Sequence, residues 1–267
     1  STTSAYLSYI QEQLGVAEPP ILGARQLIDA ALDPKANSDS SYSSHSQGIT
    51  SMVRALVKFE RWNELLDSKT IPWRDIFMDK MNKAYAETRA HIALGNLMKA
   101  DKSFARHADL KKDLEKNKQW EETYKIQELD LKARFALQRG ETLVGLAALA
   151  EAAEKQLEQQ RNDNDPPKYP EFLYVALGRA YLDAKSPALA VKAFETSLKQ
   201  VRSDWIALAG LAEAHAALGE KDKAREAIAH MLFVVSDADK GLKPVERALA
   251  TGVKAEPKDG APARQAN

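Results

Sequence analysis

Four arginines, Arg54, Arg89, Arg134 and Arg179, occupy one recurring place in a helical pattern, and Tyr85 stands one helical turn before Arg89. A guanidinium is a planar fork of N–H donors that grips a carboxylate or phosphate through two parallel hydrogen bonds. Set one above another on helices that share an inner face, the four would form a positive ladder for an acidic peptide or an exposed C-terminal carboxylate. The same four could instead pair with acids of the chain itself, as Asp130 is placed to do one turn before Arg134. Both readings stay open from the residues alone.

The pattern that aligns them is a repeat near the C-terminus. Leu177, Tyr181, Ala190 and Phe194 recur 34 positions later as Leu211, His215, Ala224 and Ile228. That period, with a small and a large apolar residue in fixed slots, is the signature of tetratricopeptide (TPR) helical hairpins. Slid upstream, the template places copies at His91–Gly95 with Ala100 and Phe104, and at Gly140 with Gly145, Leu149 and Ala152. A further copy centres on Phe59-Glu60-Arg61-Trp62 with Leu65 and Leu66. The upstream copies are spaced more widely, which predicts extended helices around 100–125. Helix breaks agree: Pro187 suits an early helical position, and Ser203 and Asp204 are both placed to cap the helix that ends at Leu218-Gly219.

The expected fold is therefore all-α, a right-handed α-solenoid of TPR-like antiparallel hairpins, five or six in number. Residues 1–33 read as N-terminal helices, 34–160 as divergent hairpins, 161–251 as two TPR repeats plus a C-terminal helix, and 252–267 as a disordered tail. The serine-rich stretch 34–47 reads as a polar loop, and 161–170 as a linker stiffened by three prolines, Pro166, Pro167 and Pro170.

Three stretches resemble bacterial TPR-containing proteins of unassigned biochemical role: Phe59–Leu66, Ala84–Gly95 with Phe104, and Pro166–Pro170 followed by Leu177-Gly178 and Trp205–Leu211. The resemblance implies a TPR fold, a bacterial origin, a chain corresponding to the C-terminal portion of longer relatives, and no enzymatic activity.

Composition narrows the function classes. Lys plus Arg equals Asp plus Glu at 38 each, so no bulk attraction to nucleic acid or anionic lipid is indicated. The absence of cysteine removes disulfides, thiolate catalysis and cysteine-based metal sites. No apolar run is long enough to span a bilayer. No HExxH, phosphate-binding loop or GxGxxG occurs, and no cofactor or metal is expected. The lysine and asparagine pattern of the chaperone-type carboxylate clamp is missing, its positions being held by Thr50, Tyr85, Asp130 and Val175.

His91 and His215 fall in a packing slot, His107 and His230 lie on second helices, and His45 lies in the serine loop. Trp62 and Trp205 sit at hairpin junctions and read as packing, whereas Trp73 and Trp120 read as exposed contacts. The residues point to a non-catalytic interaction module that binds a protein or peptide, an acidic one among those the ladder suits, through Arg54, Tyr85, Arg89, Arg134 and Arg179. The alternatives are an assembly segment that stacks on itself or on N-terminal repeats, with apolar surface near residues 5–30, and an enzyme or sensor whose chemistry lies outside this chain. The compartment is not decidable from the chain.

Overall fold

The computed structural model describes residues 2–30, 38–161 and 167–255. Among them it is entirely helical, with 13 α-helices packed in neighbouring pairs. These are α1 (Thr2–Gln13), α2 (Glu18–Asp29), α3 (Ser44–Lys58), α4 (Trp62–Leu66), α5 (Phe77–Ala93), α6 (Leu97–Asp109) and α7 (Glu121–Gln138). There follow α8 (Thr142–Gln160), α9 (Leu173–Asp183), α10 (Pro187–Gln200), α11 (Trp205–Ala217), α12 (Lys221–Val234) and α13 (Lys243–Leu249).

One turn is used five times. Helices α3, α5, α7, α9 and α11 each end on a residue in the left-handed region: Glu60 (φ 54°), Gly95 (74°), Gly140 (78°), Lys185 (59°) and Gly219 (76°). The next N–H then reaches back to close the helix end, as in Arg61 N to Leu56 O at 2.8 Å and Glu220 N to His215 O at 2.9 Å. This is the closure that satisfies carbonyls left over at a helix C-terminus. At the other end of α11, the Asp204 carboxylate accepts from the amides of Ile206 (3.0 Å) and Ala207 (3.4 Å).

Small-to-large complementarity locks neighbouring hairpins. The buried Phe194 ring of α10 lies against Gly178 of α9 and Gly210 of α11. A Cβ at Gly210 would fall 2.2 Å from the ring, and one at Gly178 2.6 Å from it. Only a hydrogen at those positions lets α9 and α11 approach so closely.

The two ends of the array meet. The turn after α1 docks on the turn before α13: Ala17 N donates to the Asp239 carboxylate (2.9 Å), and Asp239 N donates to Gly15 O (3.0 Å). Gly15 (φ 75°) packs so closely that a Cβ would lie 2.8 Å from that of Ala238. Nearby, Phe59 stacks on Trp205 with ring centroids 6.1 Å apart, and the Trp205 indole donates to Glu12 O at 3.1 Å. Lys243 pairs with Glu60 at 3.0 Å.

Several expectations change. Residues 34–37 lie outside the described structure, but Ser44–Gln47 belongs to α3 because the Ser43 hydroxyl caps it, accepting from Ser46 N at 3.2 Å. Around 100–125 there is no single long helix. Helix α6 stops at Asp109, the exposed Lys-rich run winds into a 3-10 turn (Leu110–Lys116), and a shorter one (Lys118–Trp120) leads into α7. Trp73 and Trp120 are partly buried, with Trp73 packed on the core that α3 forms with α5, because the loop after Pro72 folds back over that core. In the expected tail, Val253 and Ala255 pack beside α11 and α12, while 256–267 lie outside the described residues.

If the Phe194 slot is as tight as this geometry requires, Gly210→Ala will lower stability by about 1–3 kcal/mol through overpacking. Adding Phe194→Leu will recover part of the loss, measured as the urea midpoint of unfolding.

Candidate functional site

Helices α1, α3, α5, α7, α9 and α11 all contribute to the wall of one cavity of about 830 Å³. Their shared orientation follows from the repeated hairpin turn, which sends every second helix back to the same side. Arg54, Arg89, Arg134 and Arg179 all line this cavity. Tyr85 does not reach it. It is buried beneath the wall, where its hydroxyl donates to Asp130 at 2.5 Å, and burial, aided by that carboxylate, raises its pKa.

Each arginine has an acid of the chain beside it. Arg54 Nε donates to Glu12 of α1 at 2.8 Å, and its Nη1 donates to the Pro167 carbonyl at 3.0 Å. Arg89 and Arg134 converge on one carboxylate oxygen of Glu171, with Arg134 Nη2 at 2.6 Å. Arg134 Nε also donates to Asp130 at 2.9 Å. Arg179 pairs with Glu213 at 2.8 Å, one repeat further on, and Arg247 approaches the same carboxylate at 3.6 Å.

Two of these acids belong to no repeat. Glu12 comes from the N-terminal helix. Glu171 comes from the proline-bounded segment before α9, which lines the cavity with Pro167, Tyr169, Pro170 and Phe172. Gln156 of α8 holds that segment by its main chain, donating to Glu171 O (3.0 Å) and accepting from Leu173 N (2.7 Å). Nothing in the repeat period marks Glu12 or Glu171, because their partners lie 42 and 82 residues away. The prolines around Glu171 were the available signal, since they hold the segment extended.

Electrostatically the cavity is balanced. Arg54, Lys58, Arg89, Arg134, Arg179, Lys243 and Arg247 face Glu12, Glu60, Glu171, Asp183, Asp204 and Glu213. With Asp130 under Arg134, the two signs are equal in number. Burial alone would raise the Glu171 carboxyl, but Arg89 and Arg134 outweigh it and hold the group below the usual range. Glu213 is less fully compensated: burial pushes it up despite Arg179 and Arg247. Lys58 reaches Gln13 (3.2 Å) and lies over the Trp205 ring, and burial pulls its amine below the usual lysine range.

The histidines sit outside the cavity wall. His45, assigned to a loop by sequence, lies in the first turn of α3 and meets the Pro72 carbonyl at 3.2 Å. His107 is buried on α6, stacked on Tyr124 with centroids 4.5 Å apart and donating to Gln127 at 2.9 Å. His215 donates to Glu220 at 2.5 Å. Among the described residues, no group of three or more His, Asp or Glu is placed to hold a metal ion, and no helix is long and apolar enough to cross a membrane.

The depressed Glu171 carboxyl fixes the sign of a pH effect. A group whose pKa is lower when folded contributes stability above its unfolded value, about 4.3 for glutamate, and loses it as pH falls toward the folded value. Glu171→Gln will therefore destabilise the chain at neutral pH and flatten its stability profile below about pH 4.3, as read by urea melts across that range. No family model matches the chain, and neither a curated protein nor a solved structure matches it.

Proposed function

We propose that the chain is a non-catalytic binding module, a right-handed solenoid of TPR-like hairpins that takes a segment of a protein or peptide partner into its central cavity. The observation that carries this reading is the convergence of six helices, with all four recurring arginines, on a single cavity. Its volume of about 830 Å³ falls in the range of about 300–1,000 Å³ that encloses small ligands, so a short extended stretch fits where a folded domain does not. Contacts of α1 and the turn after it with Trp205 and Asp239 draw the two sides of the site together.

A second reading, assembly, draws on a different surface. Leu7, Ile10 and Leu14 form an exposed apolar stripe along α1 and the turn after it, with Leu22 exposed on α2. A rise in mass with concentration in sedimentation, abolished by Leu7→Lys with Ile10→Lys, would favour that reading.

The binding reading is tested by blocking the cavity. Because the chain has no cysteine, Ala176→Cys on the wall can be labelled alone with a bulky maleimide, and the exposed Leu143→Cys on α8 serves as the outer control. Labelling at 176 is expected to cut capture of partners from a bacterial lysate by about tenfold or more, with label at 143 leaving it intact. Equal capture by the two labelled proteins would refute cavity binding.

A further inference from the structure

Summed over the whole cavity the charges balance, but they do not balance everywhere along its wall. Arg89 and Arg134 have two acids between them, Glu171 and Asp130. Arg179 and Arg247 have one, Glu213, and all three of these line the wall where α9 and α13 flank α11.

These two guanidiniums are also within reach of a ligand. Arg54 and Arg89 are buried over the Tyr9 and Tyr85 rings. The side chains of Arg179 and Arg247 are 28% and 43% exposed, and among the described residues neither lies over an aromatic ring. Arg179 uses one N–H group on Glu213 at 2.8 Å. Arg247 makes no hydrogen bond among the described residues, its Nε standing 3.6 Å from the same carboxylate. The rest of both donor forks is unmatched.

The shared acid is itself weakly held, since burial raises the Glu213 carboxyl against the pull of both arginines. Other charges nearby do not alter the count. Asp183 of α9 is exposed and forms no ion pair with either arginine, and Lys243 of α13 pairs with Glu60 at 3.0 Å. What remains is one positive charge on two planar forks, which suits a singly charged carboxylate bound through paired hydrogen bonds. A phosphate dianion would meet Glu213 with stronger repulsion.

Resting on the binding reading above, we infer that Arg179 and Arg247 form a subsite for a carboxylate of the bound peptide, with Glu213 as the internal acid that it displaces. Arg247 lies on α13, outside the recurring place of the other arginines, so the ladder gives way to a single anchoring pair.

The test is an affinity selection on the full-length chain from two pools of random heptapeptides, retained peptides being read by mass spectrometry. Both pools are acetylated; one ends in an amide and the other in a free acid. The expected peptides carry a carboxylate, as Asp or Glu in the first pool or as the terminus in the second, and the pool that wins identifies the source. Replacing that group by its amide should weaken binding by about tenfold or more, the loss expected for a charge-assisted pair. Arg247→Gln should cost a similar factor while the thermal melt stays in place. Glu213→Gln should act in the opposite direction and tighten binding severalfold, which a merely structural Arg179–Glu213 pair would not produce.

Weaker or unchanged binding by a folded Glu213→Gln chain would overturn the displacement. Peptides blocked by the label at 176, yet indifferent to amidation and to Arg247→Gln, would overturn the carboxylate subsite and leave the binding reading standing; the amidation arm is read on the unaltered protein. Peptides that the label does not block, or two pools from which nothing is retained, would overturn both.

Discussion

A guanidinium withdrawn from water must find a carboxylate or a set of carbonyls, because the desolvation of an isolated charge exceeds anything that packing can return. Arg54, Arg89 and Arg134 impose that demand on the whole chain. Their helices place them on the inner wall, and no acid within the same repeats satisfies all of them. The acids come from outside: Glu12 on the N-terminal helix, and Glu171 on the segment between α8 and α9. Drawing in Glu12 brings α1 across the inner face, where its backbone accepts from Trp205. The meeting of the two ends and the path of the proline-bounded segment are thus linked to one electrostatic requirement.

The apolar packing is consistent with this and does not explain it. Phe194 between Gly178 and Gly210 sets how closely α9 and α11 approach α10. Phe59 on Trp205 joins the end of α3 to the start of α11. Dispersion and burial make these contacts favourable without specifying which distant segment fills the middle. The choice of Glu12 and Glu171 is made by charge and hydrogen-bond geometry.

The helical hairpins were legible because their signals are local. Gly95, Gly140 and Gly219 mark helix ends, and the small and large slots recur at a fixed spacing. Glu60 and Lys185 do the same work in a left-handed conformation without glycine; the first is marked only by alignment with the other copies, the second by Pro187 just beyond it. The inward placement of the four arginines was legible too. Their partners were not, since a contact between Ala17 and Asp239, or between Glu12 and Trp205, leaves no trace in any window of helical length. Only the end of the serine stretch, Ser44–Gln47, was misread as loop, and for a simpler reason: serines discourage helix in an interior position but start one well, and Ser43 stands where α3 begins.

The span between Arg89 and Glu171 has a meaning in time as well as space. At about 5–20 residues per second, an emerging chain carries Arg89 for roughly 4–16 seconds before the acid that neutralises it, 82 residues later, has been made. Arg54 has its acid from the start, because Glu12 precedes it, and waits only for the Pro167 carbonyl. The complete cavity wall is therefore the last thing to exist: the hairpins can pack one by one during synthesis, but the turn before α13 must be made before it can meet the turn after the first helix.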